Sequence, residues 1–249
     1  MNNKFEVKYK SLLNKCLSNG VVDTNRTGIN TYKLYNEILN INLNEGFPIV
    51  TGKKIFYKKG LAEFKWIYKG KTDLKYLNKR NVFWWDDFVL ENNTLGKVYG
   101  YQIRNFNNVF DQVKYCINEI KNNSRRAIIT LWNPCDLKEQ AIPCCYTHFN
   151  FVRFKNKLNM IMHFRSSDLF LGLPYDIIVG ALFLNKISKK TNLIANELSI
   201  NLADAHIYET HLKQVNTYLN NKIYDLPVIK KNKLINYKHN EYIKADIVI

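Results

Sequence analysis

Two adjacent cysteines are the residues of this sequence best suited to covalent chemistry. Residues 142–149 read IPCCYTHF, so Cys144 and Cys145 follow a proline at the start of an alternating, strand-like run. A cysteine acts as a nucleophile when nearby cations stabilise its thiolate. Free cysteines are also commonly small buried hydrophobic residues. Taken alone, the pair leaves both interpretations open.

Several arginines lie in polar segments that suit an anionic ligand. Arg125 and Arg126 are adjacent in NSRRAII, Arg26 lies in NRTGIN, and Arg165 begins the segment RSSD. Paired arginines can bind a phosphate group bidentately, and such pairs also occur in surface turns. The RSSD segment indicates either a polar pocket or a capped turn. Each of these signals is weak by itself.

A carboxylate precedes the most apolar segment of the chain. Residues 165–176 read RSSDLFLGLPYD, and the segment that follows, IIVGALFLNKIS, is almost wholly apolar. Pro174 favours the first turn of a helix. Asp176 therefore either caps that helix or offers its carboxyl group to a ligand.

Hydrophobic periodicity places these residues in an α+β fold. Apolar residues at helical and alternating spacings predict both kinds of element, without a regular βαβ repeat. We expect helices over residues 53–69, around residues 113–120, from Pro174 onward and around residues 212–219, and strands in AIITLW, HFNFVRF and LNMIMHF. The last two strands are expected to pair through the KNK turn. Glu63 lies inside the first predicted helix.

Length and composition fit a single catalytic domain over residues 1–249. The chain is 46% hydrophobic and 14% aromatic, which is enough for a large core, and no repeat or linker divides it. The polar start, MNNKFEVKYK, does not resemble a signal peptide, and no apolar run reaches the ~18 residues of a membrane span. We therefore expect a cytoplasmic protein without a membrane partner.

The cysteines and the net charge restrict the class of ligand. The cysteines are Cys16, Cys116, Cys135, Cys144 and Cys145. Because their number is odd and their spacing is not that of metal ligands, we expect reduced thiols and no metal. A formal net charge of +16 suits nucleic acid, a membrane surface or a small polyanion. The lysines are scattered among asparagines, which favours an anion-binding pocket and leaves nucleic-acid binding as the alternative.

The order and spacing of the motifs resemble thymidylate synthase and its relatives, the pyrimidine nucleotide hydroxymethylases. The matching segments are RTG, FPIVTGKK, EFKWIYKGKTD, WWDDF, LGKVYGYQIR, SRRAIITLWNP, IPCC, RSSDLFLGLP and ADAHIY. The resemblance extends from about Arg26 to the carboxyl terminus. It implies a layered fold with a mixed sheet and packed helices, a homodimer formed through the sheet, and transfer of a one-carbon unit from 5,10-methylenetetrahydrofolate to C5 of a pyrimidine nucleotide.

The resemblance also implies which residues bind and attack the nucleotide. Cys145 matches the nucleophile, whose thiolate adds to C6 of the base, and Cys144 becomes its neighbour. Arg165 matches both a phosphate ligand and the cation that keeps the thiolate charged. The other implied nucleotide ligands are Arg26 and Ser166 at the phosphate, His206 and Tyr208 at the ribose 3′-hydroxyl, and Arg125 and Arg126, which the partner subunit contributes.

The remaining matches concern proton transfer and folate. Glu63 matches the carboxylate that relays protons through ordered water, and Tyr99 the tyrosine near C5. The implied folate-side residues are Lys53, Trp85, Asp168 and Gly172. A soft nucleophile of lowered pKa, a poised acid–base group and fixed guanidinium groups for a dianionic phosphate are what this chemistry requires.

The chain departs from thymidylate synthases at three positions. Tyr146 replaces the histidine that follows the nucleophile, Phe88 replaces a second tryptophan beside the folate, and Asp176 replaces the asparagine that recognises the base. Asparagine satisfies the N3–H donor and O4 acceptor of uracil, whereas cytosine reverses this pattern. A carboxyl group suits the cytosine amino group, as in the deoxycytidylate hydroxymethylases, so we expect Asp176 to select cytosine.

The residues constrain the product of the reaction less strongly than they constrain the choice of base. Hydride transfer to the methylene intermediate at C5 yields a methyl group, whereas addition of water yields hydroxymethyl. Tyr146 and Phe88 favour altered access for water, while Trp85 and the tail YIKADIVI favour a closed site. We predict hydroxymethylation of dCMP, with dCMP methylation, dTMP synthesis from dUMP, and an idle relative that binds nucleic acid as the alternatives. Deoxyribose and ribose are not distinguished.

Overall fold

A mixed β-sheet with packed helices forms the part of the chain that this computed structural model describes, residues 3–248. The helices are α1 (Lys4–Asn19), α2 (Tyr57–Tyr68), α3 (Lys75–Asn78), α4 (Tyr99–Asn105), α5 (Gln112–Lys121), α6 (Gly172–Thr191) and α7 (Leu212–Asn220). The strands are β1 (Val21–Asp23), β2 (Thr31–Asn42), β3 (Ile128–Thr130), β4 (Tyr146–Phe154), β5 (Lys157–Phe164), β6 (Ser167–Asp168), β7 (Ile194–Tyr208), β8 (Val228–Lys230) and β9 (Lys233–Ile235). The α+β prediction is confirmed.

The main sheet has the strand order β1-β2-β7-β5-β4-β3, with β6 paired to β7. Strand β7 is antiparallel to β2 but parallel to β5 and to β6, so the sheet is mixed. Because β6 pairs Asp168 with His206 on β7, it brings the RSSD segment beside the ADAHIY segment. The sheet therefore joins two motifs that are far apart in sequence.

Helix α6 is the centre of the core. Its buried side chains include Ile177, Phe183 and Leu184, and it packs against α2 and against strands β5 and β7. Gly180 permits this close approach, because a Cβ at that position would collide with the sulfur of Met162 on β5. Within residues 3–248 no helix is both long and apolar enough to cross a membrane.

The predicted hairpin in the middle of the chain is confirmed. Strands β4 and β5 are antiparallel, and their alternating residues point alternately into the core and away from it. The turn is one residue shorter than the predicted KNK, because Lys157 already pairs with Phe154. Lys155 takes a positive φ of 53°, as a tight turn requires.

The helix predicted over residues 53–69 begins later than expected, as α2. The backbone N–H of Lys54 donates to the carbonyl of Glu241 at 3.1 Å, and that of Ile55 donates to the hydroxyl of Tyr237 at 3.1 Å. These donors are used by the carboxyl-terminal segment, so the preceding residues stay extended. The predicted strand AIITLW is likewise shortened to β3, whereas the helices predicted around 113–120 and 212–219 are confirmed as α5 and α7.

One face of the sheet carries polar side chains that are partly open to solvent. The register places Ile38, Asn201, His163 and His148 side by side across strands β2, β7, β5 and β4. The imidazole rings of His148 and His163 stack with centroids 3.9 Å apart. Ile38 is 57% exposed, which is unusual for an isoleucine in the middle of a long strand.

Candidate active site

Arg165 holds the segment that carries the two cysteines. Its guanidinium donates to the carbonyl of Pro143 at 2.8 Å and to that of Cys144 at 3.0 Å, and Nη2 lies 3.8 Å from the sulfur of Cys145. The backbone N–H of Arg165 also donates to the carbonyl of Cys145 at 3.0 Å. A fixed cation therefore lies beside the thiol that the sequence identifies as the nucleophile.

The two cysteines have different environments. Cys144 is fully buried, its sulfur accepts a hydrogen bond from the backbone N–H of Tyr99 at 3.3 Å, and burial raises its pKa to about 12. Cys145 is less buried. Burial also raises the pKa of the Cys145 thiol, while Arg165 and Arg26 lower it and Asp176 raises it. Of the two, Cys145 has the cationic surroundings of a reactive thiol.

Tyr99, at the start of α4, contacts both cysteines. Besides its backbone donation to Cys144, its hydroxyl accepts a hydrogen bond from the backbone N–H of Cys145 at 3.0 Å. Its ring packs on that of Tyr146 with centroids 4.6 Å apart and on that of Trp85 at 5.8 Å. Tyr99 therefore links the thiol of Cys145 to the rings of Tyr146 and Trp85, which we call the aromatic wall of the cleft.

Glu63 is buried in the middle of α2 and is held by two indole rings. Trp85 donates to Oε1 at 2.7 Å and Trp84 donates to the same oxygen at 3.0 Å. Burial raises the pKa of Glu63, and the two indole hydrogen bonds oppose that rise. The adjacent tryptophans in WWDDF were visible in the sequence, but Trp84 was not expected at the site.

Asp176 lies beyond the first turn of α6 and does not cap it. The N-cap is Leu171, without a side-chain capping bond, and among residues 3–248 no side chain or backbone group hydrogen-bonds the Asp176 carboxyl. Burial, the charge of Glu63 and that of Asp168 together raise the pKa of Asp176 well above its ordinary value. This carboxyl group is therefore free to meet a ligand, and its surroundings favour the protonated form.

Asp168 and Gly172 shape the opposite side of the same cleft. The Asp168 carboxylate accepts hydrogen bonds from the backbone N–H groups of Phe170 at 2.8 Å and Leu171 at 3.2 Å, which fixes the turn into α6. A Cβ at Gly172 would lie 3.8 Å from the Asp176 carboxyl and 3.9 Å from Asp168, so the glycine leaves open space between the two acids.

Lys53 lies at the end of this turn and is almost completely buried. Its ammonium group donates to the carbonyl of Phe170 at 2.6 Å and lies 3.4 Å from the centroid of the Phe170 ring. Burial lowers the pKa of Lys53 to about 7, against the opposing influence of Asp168. The lysine therefore stabilises the Asp168 turn and carries a variable charge near neutral pH.

His206 and Tyr208 project from β7 near the RSSD segment. The Nδ1 atom of His206 lies 2.8 Å from the Asp204 carboxylate, and the rings of His206 and Tyr208 meet edge to face at 5.1 Å. Hydrogen bonding to His206 is the main cause of the lowered pKa of Asp204. Asp204 is not among the residues predicted for the site, although its position two residues before His206 on one strand places both side chains on one face.

The expected phosphate ligands are only partly brought together in a single chain. Arg26 lies in an exposed turn, close enough to Cys145 and Tyr208 that its charge partly opposes the rise that burial causes in both of their pKa values. Ser166 follows Arg165 and is half-buried. Arg125 and Arg126 are exposed before β3, and in the described part of the chain no ion pair joins either side chain to the cleft.

An open pocket of about 330 Å³ is lined in part by Arg165. It is lined by Thr130, Trp132, Thr147, His148 and Arg165. The guanidinium carbon of Arg165 lies 5.8 Å from the centroid of the Trp132 ring. Arg165 therefore borders both this pocket, which His148 of the open sheet face also lines, and the thiol of Cys145.

A thiol, an arginine and buried acidic groups lie close enough to influence one another's pKa values. The thymidylate synthase family model matches residues 7–249, and the chain belongs to the thymidylate synthase family. It is therefore a one-carbon transferase, of a family that uses methylenetetrahydrofolate and a pyrimidine nucleotide. Among residues 3–248 no group of three or more His, Cys, Asp or Glu side chains is placed to hold a metal ion.

The contacts of Arg165 predict how the Cys145 thiol titrates. Replacing Arg165 with glutamine removes the strongest influence that lowers the Cys145 pKa. We therefore expect the pH midpoint of Cys145 alkylation by iodoacetamide to rise by roughly one pH unit. Peptide mapping by mass spectrometry measures the rate at each cysteine. The exposed Cys135 is the internal control, and an unchanged Cys145 midpoint would show that Arg165 does not stabilise the thiolate.

Proposed function

We propose that this enzyme is a deoxycytidylate 5-hydroxymethylase. The observation that carries the proposal is the Asp176 carboxyl group, which lies in the cleft without a hydrogen-bond partner among residues 3–248 and whose pKa is raised. Family membership supports one-carbon transfer to a pyrimidine nucleotide. The nature of the base and of the product is inferred from the residues that line the cleft.

Asp176 suits cytosine better than uracil. In its protonated form the carboxyl group donates to N3 of cytosine and accepts from the 4-amino group. The pairing is kept whether the shared proton lies on the carboxyl group or on N3 of cytosine, which is basic. A neutral carboxyl group could also accept from N3–H and donate to O4 of uracil, so the preference for cytosine depends on the ionised form. A carboxylate would lie opposite the O4 acceptor of uracil, and leaving such a buried group unpaired costs about 1–3 kcal/mol.

Cys145 is proposed as the nucleophile and Arg165 as the cation that stabilises its thiolate. The sulfur bonds to C6 of the base, and the electrons of the C5–C6 double bond move so that C5 becomes nucleophilic. The 3.8 Å separation between Arg165 Nη2 and the sulfur supports this assignment. Cys144 is unsuited to the role, because it is fully buried and its pKa is raised to about 12.

Glu63 is proposed as the acid–base group. Its pKa is raised by burial, which brings a carboxyl group closer to the range in which it can both take up and release a proton at neutral pH. Tyr99 supports the nucleophile from the other side through its hydrogen bond with the Cys145 backbone. Glu63 also lies close enough to Asp176 for its charge to contribute to the raised pKa of that carboxyl group.

Folate is proposed to bind on the side opposite the nucleotide. Trp85, Lys53, Asp168 and Gly172 are proposed to form its site, since the Trp85 ring offers a flat surface and Gly172 has no side chain in the space beside Asp168 and Asp176. Methylenetetrahydrofolate, when bound, supplies the one-carbon unit. Asp168 and Trp85 then orient the ring system, while Lys53 keeps the Asp168 turn in place.

Water is proposed to complete the reaction. Tyr146 replaces the imidazole that other members of the family place beside the nucleophile, and its pKa is raised by burial and by Asp176, Glu63 and the cysteines. The Tyr146 hydroxyl therefore belongs to the same electrostatic cluster as the acid–base groups. A phenol hydroxyl can donate to and accept from a water molecule at C5. This difference favours hydroxymethyl over methyl as the product.

The nucleotide phosphate is proposed to bind at the junction of two subunits of a homodimer. Arg165, Arg26 and Ser166 supply one side, with His206 and Tyr208 at the sugar. The open face of the sheet, with its row from Ile38 to His148, suits a second copy of the chain. Arg125 and Arg126 lie outside the cleft of their own chain and are proposed to complete the partner's phosphate site.

Incubation with methylenetetrahydrofolate and either dCMP or dUMP tests the proposal. Mass spectrometry of the nucleotide should show dCMP heavier by one CH2O unit. A gain of one CH2 unit would indicate a methylase, and turnover of dUMP alone would indicate dTMP synthesis. Absence of turnover together with salt-dependent RNA binding would favour a nucleic-acid-binding protein.

Exchange of the C5 hydrogen separates the roles of the two cysteines. We expect Cys145→Ser to abolish the release of tritium from C5-labelled dCMP without folate, because no thiolate can add to C6. Cys144→Ser should retain most of the exchange, since its sulfur contacts only the protein interior. Exchange that survives Cys145→Ser but is lost in Cys144→Ser would reverse the assignment.

Asp176→Asn tests recognition of the base. The substitution hardly changes volume, so the fold should be preserved. We expect the ratio of kcat/KM for dCMP to that for dUMP to fall by about one to three powers of ten, because an amide serves both N3–H and O4 of uracil. Steady-state kinetics with both nucleotides measure the ratio. An unchanged ratio would mean that Asp176 does not select the base.

Subunit complementation tests the shared phosphate site. Mixed dimers of an Arg126→Ala subunit and a Cys145→Ser subunit contain one site in which both residues are intact. We expect these heterodimers to recover up to about half of the activity of a wild-type dimer, because one of their two sites is intact, although each parent is nearly inactive. Heterodimers of demonstrated composition that remain inactive would contradict the shared site.

A further inference from the structure

Two indole rings donate to the same oxygen of Glu63. Trp85 lies at the position where the family resemblance places a tryptophan, whereas Trp84 is an additional donor. Their Nε1 atoms lie 2.7 Å and 3.0 Å from Oε1. Among residues 3–248 no hydrogen bond from the protein reaches Oε2. The carboxyl group of Glu63 is therefore held at one oxygen and open at the other.

We propose that Trp84 is a positioning residue that, together with Trp85, keeps Oε1 of Glu63 unprotonated and reserves Oε2 for proton transfer. An indole N–H can only donate, and a carboxyl oxygen has two lone-pair sites. With both sites of Oε1 occupied by donors, a proton taken up by Glu63 binds to Oε2 and leaves from the same oxygen. This role rests on the proposed acid–base function of Glu63, whereas the hydrogen bonding itself does not.

Trp84 is held in place independently of its N–H group. Its ring packs on that of Tyr175 with centroids 4.9 Å apart, and the ammonium group of Lys59 lies 5.9 Å from its ring centroid. The ring is half-buried. Because these contacts do not involve the indole N–H, a substitution that removes only the N–H separates the hydrogen bond from the packing.

Other ionisable groups lie near Glu63 and have to be distinguished from the indole donors. Asp176 and Tyr175 lie near it on α6 and Tyr146 on β4, and the charge of Glu63 contributes to the raised pKa of each. Benzothienylalanine at position 84 removes only the N–H, so the contact of the ring with Tyr175 and all three ionisable groups are kept. A change in the titration of Glu63 that Trp84→Phe and benzothienylalanine share therefore reports the lost hydrogen bond rather than a displaced neighbour.

Carbon-13 NMR of protein labelled at the carboxyl carbon of glutamate measures this titration directly. The signal of Glu63 is the one missing from Glu63→Gln. We expect Trp84→Phe to move its midpoint to higher pH by about one pH unit, because a hydrogen bond to the charged form is lost. Trp132→Phe, which removes an indole on the far side of Arg165, is the matched control and should leave the midpoint unchanged.

The outcomes are distinct. An unchanged midpoint in Trp84→Phe, or an equal rise in Trp132→Phe, would overturn the proposal. If Trp84→Phe does not fold, benzothienylalanine at position 84 keeps the shape of the indole without its N–H and should give the same rise. A raised midpoint of the Glu63 titration supports the role of Trp84 even if the protein has no transfer activity. Missing activity would count only against the proposed function.

Discussion

The burial of several ionisable groups in one cleft is the constraint on which the site depends. Removal from water disfavours the charged form of each group, so the pKa values of Cys145, Glu63 and Asp176 rise and that of Lys53 falls. The charged and hydrogen-bonding groups beside each residue determine how large its pKa shift becomes. Arg165 opposes it at the thiol, and two indoles oppose it at Glu63. Asp176 lacks such a donor among residues 3–248, and it is the group proposed to meet the base.

The parts of the fold that the sequence predicts correctly are those with a local periodic signal. The β4–β5 hairpin follows from alternation on both sides of a short turn, and α5 follows from the spacing of Val113, Cys116 and Ile120. The site residues were assigned from motif order rather than from periodicity. The structure places Cys145 and Arg165 together, because both lie in segments that the sheet joins, while their catalytic roles stay predictions.

The rest depends on contacts between distant segments, which leave no local pattern. Trp84 follows Glu63 by 21 residues, and its hydrogen bond exists because a loop folds back over α2. The late start of α2 depends on Tyr237, 182 residues away from Ile55. The exposed positions of Arg125 and Arg126 are likewise invisible in the motif that contains them. Such features require the folded chain.

The attachment of residues 237–241 to residues 50–55 has a practical consequence for anyone who handles the protein. The hydroxyl of Tyr237 donates to the carbonyl of Val50 at 2.9 Å, and the N–H of Asn240 donates to that of Thr51 at 3.0 Å. Residues 50–55 include Lys53, whose ammonium group donates to the carbonyl of Phe170 in the Asp168 turn. A fusion partner or a protease cut that displaces residues 237–241 therefore loosens the support of this turn. Affinity tags at that end of the chain are poorly placed for measurements of folate binding.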